Sequence, residues 1–345
     1  MIKPNVLLML TILLLVAAQC RGEQPSPDTQ GDQSPIESAA LSVVNLAEGE
    51  KLKVVATTNI IGDMVKNVGG NNIALTTLLP VGSDPHTFVP TPQDIARVAD
   101  AHVIFVNGLH LEEFLEELIN NAGSNATVIT VSTQVKTREL SGGAARENEA
   151  VAEHNPAGEQ RQSDQEDHLE GTDPHIWMTP ANAVIMVRNI ERTLSQLDPA
   201  NAASYQANAE AYETQLEELD VWVQAQIDSI PADNRKLVTD HDSFGYYVDR
   251  YGLVLVGAVL PGYSTNAEPS AQEMVALQDA IADLGVKAVF VGTTVNPVLA
   301  ERMAEDTGIQ LIPLYTGSLG EPGSGAETYL DYIRYNTTAI VEALQ

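Results

Sequence analysis

Residues 53–79, KVVATTNIIGDMVKNVGGNNIALTTLL, decide the fold. Lys53–Thr58 is short and rich in β-branched residues, which suits a strand. Ile61–Val68 reads as a helix and ends at Gly69-Gly70, a helix-stop signal. Ile73–Leu79 is a second strand. Strand, helix and strand in so short a span make a βαβ unit with parallel strands.

The same alternation continues outward. Pro92–Ala101 is expected as a helix, His102–Asn107 as a strand, Leu111–Ala122 as an acidic helix and Thr127–Val131 as a strand. Residues 141–172 break the pattern. That stretch is acidic and polar, holds His154 and His168, and reads as a mobile surface loop. Asp198-Pro199 supplies an N-cap followed by proline at the first helical position. The helix that follows meets no Gly or Pro before Pro231. At 1.5 Å per residue it would span roughly 50 Å, more than one ordinary domain. After Pro231 the alternation resumes: strands at Lys236–Asp240, Leu253–Leu260, Lys287–Val291 and Ile309–Leu314, and helices at Phe244–Tyr251, Ala271–Leu284, Pro297–Thr307 and Glu327–Leu344. The expected fold is α/β: two lobes, each a parallel sheet flanked by helices, joined by one long rigid helix. The boundaries are 51–197 for the N-terminal lobe, 198–230 for the linking helix and 231–345 for the C-terminal lobe.

Upstream, residues 1–20 read as a signal peptide. Lys3 gives one positive charge, and the apolar run Val6–Ala18 is too short to span a bilayer comfortably. Cys20, the single cysteine of the chain, ends that run in LLLVAAQC and resembles the acylated cysteine of a bacterial lipoprotein. Ordinary cleavage is the alternative, and both place the protein outside the cytoplasm. Residues 21–50, rich in Gln, Ser, Pro, Asp and Gly, read as a flexible tether. The 345-residue chain carries 18 Lys+Arg against 47 Asp+Glu, a net charge of −29. Such a surface repels nucleic acid and anionic lipid and attracts cations without specificity. Solubility explains the charge equally well, so it names no metal.

In open α/β sheets, ligands bind beyond the carboxyl ends of the strands. His86 (LPVGSDPHTFVPTPQD, 79–94) follows the second strand, His175 (GTDPHIWMTP, 171–180) lies beyond the fourth, and His241 (LVTDHDSFGYY, 237–247) directly follows the first strand of the second lobe. Three of the seven histidines thus map to the edge where the lobes face each other. His86 and His175 share the tripeptide Asp-Pro-His. Its proline stiffens the turn, and Asp84 or Asp173, two residues earlier, could orient the ring. Three neutral imidazoles and one oxygen donor suit tetrahedral Zn²⁺. His102, at the start of a strand, suits a structural role, and His110 is expected on the lobe surface. His154 and His168 could at most scavenge metal transiently. Three histidines with an open position also suit a zinc hydrolase, for which Glu268 is the available general base. Outer support of the site, or a charge at the start of the helix from Ala271, is the alternative role for Glu268.

SDPHTFVPTPQDIARVADA, VNGLHLEEFLEEL, DPHIWMTPANA, TDHDSFGYYVDRYGL, YSTNAEPSAQEM, VFVGTTVNPVLAERMAEDTG and ETYLDYIRYN run in order through the body of the chain. Together they resemble the metal-binding receptors of bacterial ABC importers for zinc and manganese, the cluster A-I family, also labelled adhesins. The resemblance implies a non-enzymatic receptor, acting as a monomer, that binds metal in the cleft and passes it to a membrane permease. A separate adhesive role is the rival this label suggests. The resemblance implies His86, His175 and His241 as ligands. His241 stands where members use histidine or glutamate, and histidine leans toward Zn²⁺, with Mn²⁺ as the alternative. Two positions depart from the family pattern. Leu314–Leu319 reads LYTGSL where LYxDSL is expected, so Gly317 replaces an aspartate, and Gly292 replaces a second acidic residue. The fourth ligand is then water, another residue or nothing. Losing a carboxylate tilts the choice further from Mn²⁺ to Zn²⁺. Because imidazoles bind metal only when deprotonated, affinity is expected to fall as pH drops through about 6.5.

Overall fold

A computed structural model of the chain describes residues 41–139 and 171–345. The expected signal peptide with Cys20, residues 21–40 of the tether, and the expected loop with His154 and His168, apart from its last two residues, lie outside the described residues. Strands β1 (Leu52–Ala56), β2 (Ile73–Thr77), β3 (Val103–Val106) and β4 (Thr127–Thr130) form a parallel sheet in the order β2-β1-β3-β4. Strands β5 (Lys236–Thr239), β6 (Val254–Ala258), β7 (Ala288–Gly292) and β8 (Gln310–Leu314) repeat the arrangement as β6-β5-β7-β8. In both sheets the chain starts in the middle, turns back to one edge and crosses to the other. This makes a switch point beside β1 and a second beside β5.

The helices are α1 (Asn59–Gly69), α2 (Pro92–Ala99), α3 (Leu115–Ala122), α4 (Pro180–Leu197), α5 (Ala202–Asp228), α6 (Gly245–Tyr251), α7 (Ala271–Leu284), α8 (Val298–Thr307) and α9 (Tyr329–Leu344). Period-two alternation divides each central strand between two cores. In β3, Val103 and Phe105 face the main core, while Ile104 and Val106 face a satellite under α2 and α3. In β7, Ala288 and Phe290 face the main core, and Val289 and Val291 face a satellite under α7 and α8. The main core is continuous through both sheets, and α5 runs through it. Tyr205, Ala209, Tyr212, Leu216, Leu219, Val223 and Ile227, spaced three or four apart, form its buried stripe. At 27 residues, α5 spans about 40 Å.

The long helix differs from expectation at its start. Asp198-Pro199 opens one 3₁₀ turn (Pro199–Asn201), and α5 begins at Ala202. The Asp198 carboxylate is used there as an acceptor for Tyr205 Oη and Asn201 Nδ2, both at 2.7 Å. Helix α4, 18 residues long, is not anticipated by the strand–helix alternation. Its start nevertheless carries the same signal, with Thr179 as N-cap and Pro180 in the first turn. Helix α3 begins at Leu115 rather than Leu111, after a turn in which Leu109 and His110 adopt left-handed φ of 55° and 60°. Glu112 is drawn inward, accepting from Thr57 Oγ1 (2.7 Å) and from the N–H groups of Asn107 (2.6 Å) and Gly108 (3.1 Å).

Candidate metal centre

Each of the three histidines is presented by a short polar turn past a strand end. After β2, the Asp84 carboxylate accepts the His86 N–H at 3.0 Å, a local turn that Pro85 stiffens. Before a 3₁₀ turn at Ile176–Met178, Asp173 accepts the His175 N–H and faces its ring Nδ1, both at 2.9 Å. Directly after β5, Asp240 accepts the His241 N–H at 2.7 Å and faces its Nδ1 at 2.8 Å. The rings meet between the sheets. Their centroids lie 5.1–5.6 Å apart, and Nε2 of His86 is 3.2 Å from Nε2 of His175. One nitrogen from each ring lies within 4.8 Å of the others, the one such cluster among the described residues. His175 and His241 are buried.

The two sheets are tied together around the cluster. Trp177 Nε1 donates to Thr316 O (2.9 Å), Gly82 N and Asn59 Nδ2 donate to Ser318 Oγ (2.8 and 2.9 Å), and Leu319 N donates to Asn59 Oδ1 (2.8 Å). On another side, Arg138 bridges Asp173 (3.0 Å) and Asp249 (3.1 Å).

Electrostatics separate the three rings. Burial, reinforced by the neighbouring rings, holds His86 and His175 well below the ordinary imidazole range, so both are neutral with a lone pair to offer. Burial also pulls on His241, but the charge and hydrogen bond of Asp240 outweigh it and raise the ring. Burial pushes Asp173 up to about 6, even with Arg138 and the His175 N–H beside it. Three converging imidazoles form a donor set for one divalent cation once His241 gives up its proton, and the outer carboxylates Asp173 and Asp240 can hold two of the rings in place.

Other expected residues fall differently. Asp84 braces the loop through the His86 N–H and Thr265 rather than the ring. Glu268 is exposed, two residues before Ser270, the N-cap of α7, and lies outside the histidine cluster. His102 accepts the Lys53 N–H at 3.0 Å, a link between β1 and the start of β3, and His110 is exposed. Asp240 is the residue the sequence reading misses. Its signal is adjacency to His241 at a strand end, unlike the two-residue spacing of Asp84 and Asp173 from their histidines. Both unexpected glycines are closely surrounded. A Cβ on Gly317 would lie 2.6 Å from Pro85 Cδ, and one on Gly292 would lie 2.2 Å from Thr316 Oγ1 and 3.0 Å from Asp240 Oδ2.

Two parallel four-stranded α/β lobes sharing one core, with three imidazoles gathered between them, define a metal-binding substrate-binding protein. The family model described as "Zinc-uptake complex component A periplasmic" matches residues 54–343, and the chain belongs to that family. It is a family of binding components rather than enzymes, which removes the hydrolase reading and the catalytic role for Glu268. The manganese-binding lipoprotein MntA of Halalkalibacterium halodurans is 33% identical over 298 residues, covering 86% of this chain and 90% of that protein. PsaA of Streptococcus pneumoniae, named a manganese ABC transporter substrate-binding lipoprotein, is 30% identical over 303 residues, covering 86% and 90%. Among solved structures, the periplasmic zinc-binding protein TroA of Treponema pallidum superposes with a TM-score of 0.71 at 28% identity, covering 86% of this chain and 99% of that one. The manganese-bound periplasmic metal-binding protein of Candidatus Liberibacter asiaticus gives 0.70 at 27% identity, covering 86% and 100%.

Proposed function

We propose that this protein captures Zn²⁺ outside the cytoplasm through His86, His175 and His241 and hands it to the membrane permease of an ABC importer, held at the membrane by an acylated Cys20. The observation that carries the metal choice is the composition of the cluster: three imidazoles converge, and among the described residues no carboxylate oxygen joins them. Imidazole suits zinc, whereas Mn²⁺ favours oxygen donors. The lipoprotein names of MntA and PsaA support the anchored, importer-coupled reading. Those same names make Mn²⁺ the second reading.

Calorimetric titration of the metal-free protein with each ion decides between them. One Zn²⁺ per chain, bound more tightly than Mn²⁺, is expected. A preference for Mn²⁺ would overturn the zinc reading, and stoichiometry well below one for both ions would overturn the site.

A further inference from the structure

We infer that Asp240 is the positioning residue that sets this site's preference for an imidazole-binding metal, holding His241 in one tautomer and supplying negative charge from behind the ring. The inference rests on the zinc reading above.

Every hydrogen-bond contact of the Asp240 carboxylate is with a nitrogen. Oδ1 accepts the His241 backbone N–H at 2.7 Å and lies 2.8 Å from the ring Nδ1, and Oδ2 accepts the Gly292 N–H at 2.6 Å. A neutral imidazole facing an ionised carboxylate at that distance carries its hydrogen on Nδ1, which leaves Nε2 bare for a metal. The carboxylate has little freedom to move. Asp240 is buried, its N–H donates to Phe290 O at 2.9 Å, and its carbonyl accepts from Leu260 N at 2.6 Å, so β7 and the bend after β6 grip its backbone.

Gly292 makes this approach possible. Its backbone N–H meets Oδ2 because no side chain stands there, and an added Cβ would lie 3.0 Å from that oxygen and collide with Thr316 Oγ1. Asp240 and Gly292 are therefore a matched pair across β5 and β7. In the first lobe, Asp173 backs His175 in the same way at 2.9 Å. Asp173 shares its charge with Arg138 at 3.0 Å, so Asp240, which accepts only from backbone N–H groups and the His241 ring, is the carboxylate whose charge faces the cluster from behind. Charge supplied from behind a ring leaves the donor set all imidazole, which favours zinc over manganese.

The test uses the full chain carrying D240N. The asparagine keeps the shape, but whichever way its amide turns, its NH₂ group faces an N–H that the carboxylate accepted. Zn²⁺ affinity is expected to fall about 10–100-fold, the usual cost of losing an outer partner, and the Zn²⁺-over-Mn²⁺ ratio to narrow. The visible spectrum of the Co²⁺-loaded variant is expected to shift as His241 loosens. H86A serves as the control. If H86A loses zinc while D240N keeps wild-type affinity and selectivity, the role of Asp240 is overturned and the zinc reading stands. If H86A loses nothing, the zinc reading itself fails. Long-range ¹H–¹⁵N spectra of the metal-free wild type at alkaline pH provide a readout independent of any variant's folding. His241 is expected with its proton on Nδ1, and a proton on Nε2 overturns the inference.

Discussion

His86 and His175 are neutral because burial, with the neighbouring rings, keeps protons off them, so each has a lone pair to offer a cation. Alanine at His86, His175 or His241 removes one of the three proposed ligands itself. Each loss of Zn²⁺ affinity should exceed the about 10–100-fold that an outer partner costs. Titration calorimetry against a competing chelator measures it, and an unchanged constant for any of the three would remove that residue from the site. Gly317 offers a second test. Its missing Cβ is the space Pro85 fills, so G317A pushes on the turn that presents His86. Overpacking of this kind costs about 1–3 kcal/mol. Thermal melts should show that loss together with weaker zinc binding, and a variant as stable and as tight as wild type would show that the turn has slack.

At the scale of elements, α5 is the member on which both sheets depend. Leu216 is fully buried at its middle, and L216A should cost about 2–5 kcal/mol in urea unfolding, whereas a surface position on the same helix should cost little. The junction of α1, α5 and α9 holds a half-buried acid. Asp63 accepts the Tyr329 N–H at 3.1 Å, where α9 begins, and Tyr212 Oη from α5 at 3.3 Å. Burial raises its pKa above the ordinary 3.8 despite these donors. The folded state therefore holds the proton longer than the unfolded chain does. Asp63's favourable contribution is complete below the unfolded pKa and is lost as pH rises through the folded one. D63N, with an amide oxygen able to take the same donors, should gain on wild type as pH rises across that window. Urea melts at a series of pH values check it, and a stability difference independent of pH would refute the linkage.

For the whole molecule, the continuous core through α5 and the hydrogen bonds from Trp177, Gly82 and Asn59 to the Thr316–Leu319 loop make the two lobes one mechanical body. Calorimetric unfolding should give one transition for both lobes, and two separated transitions would refute a shared core. On the proposed reading, metal binds the assembled cluster and not the unfolded chain. Zinc at about 100 times its dissociation constant should thus add about 2.7 kcal/mol, reversed by chelator. Small-angle scattering should change little on loading, because one nitrogen of each ring already lies within 4.8 Å of the other two.

The alternation of strands and helices from Lys53 onward was enough to determine two parallel sheets, since the periods of two and 3.6 residues are local properties of the chain. The placement of His86, His175 and His241 past strand ends likewise follows from a rule of α/β sheets that sequence order obeys. Helix α4 escaped because it lies where one lobe's alternation ends and an unbroken helical stretch follows. Asp240 escaped because a carboxylate adjacent to a histidine in sequence says nothing of its reach. That reach became visible once the Gly292 N–H and the His241 ring were found on either side of it. The glycines at 292 and 317 read as lost carboxylates in the sequence, and only the packing of Thr316, Asp240 and Pro85 against them shows space already filled. Periodicity is written in neighbours along the chain, while the charge and room around a metal site are set by residues 50 to more than 200 positions apart, which only tertiary structure brings into contact.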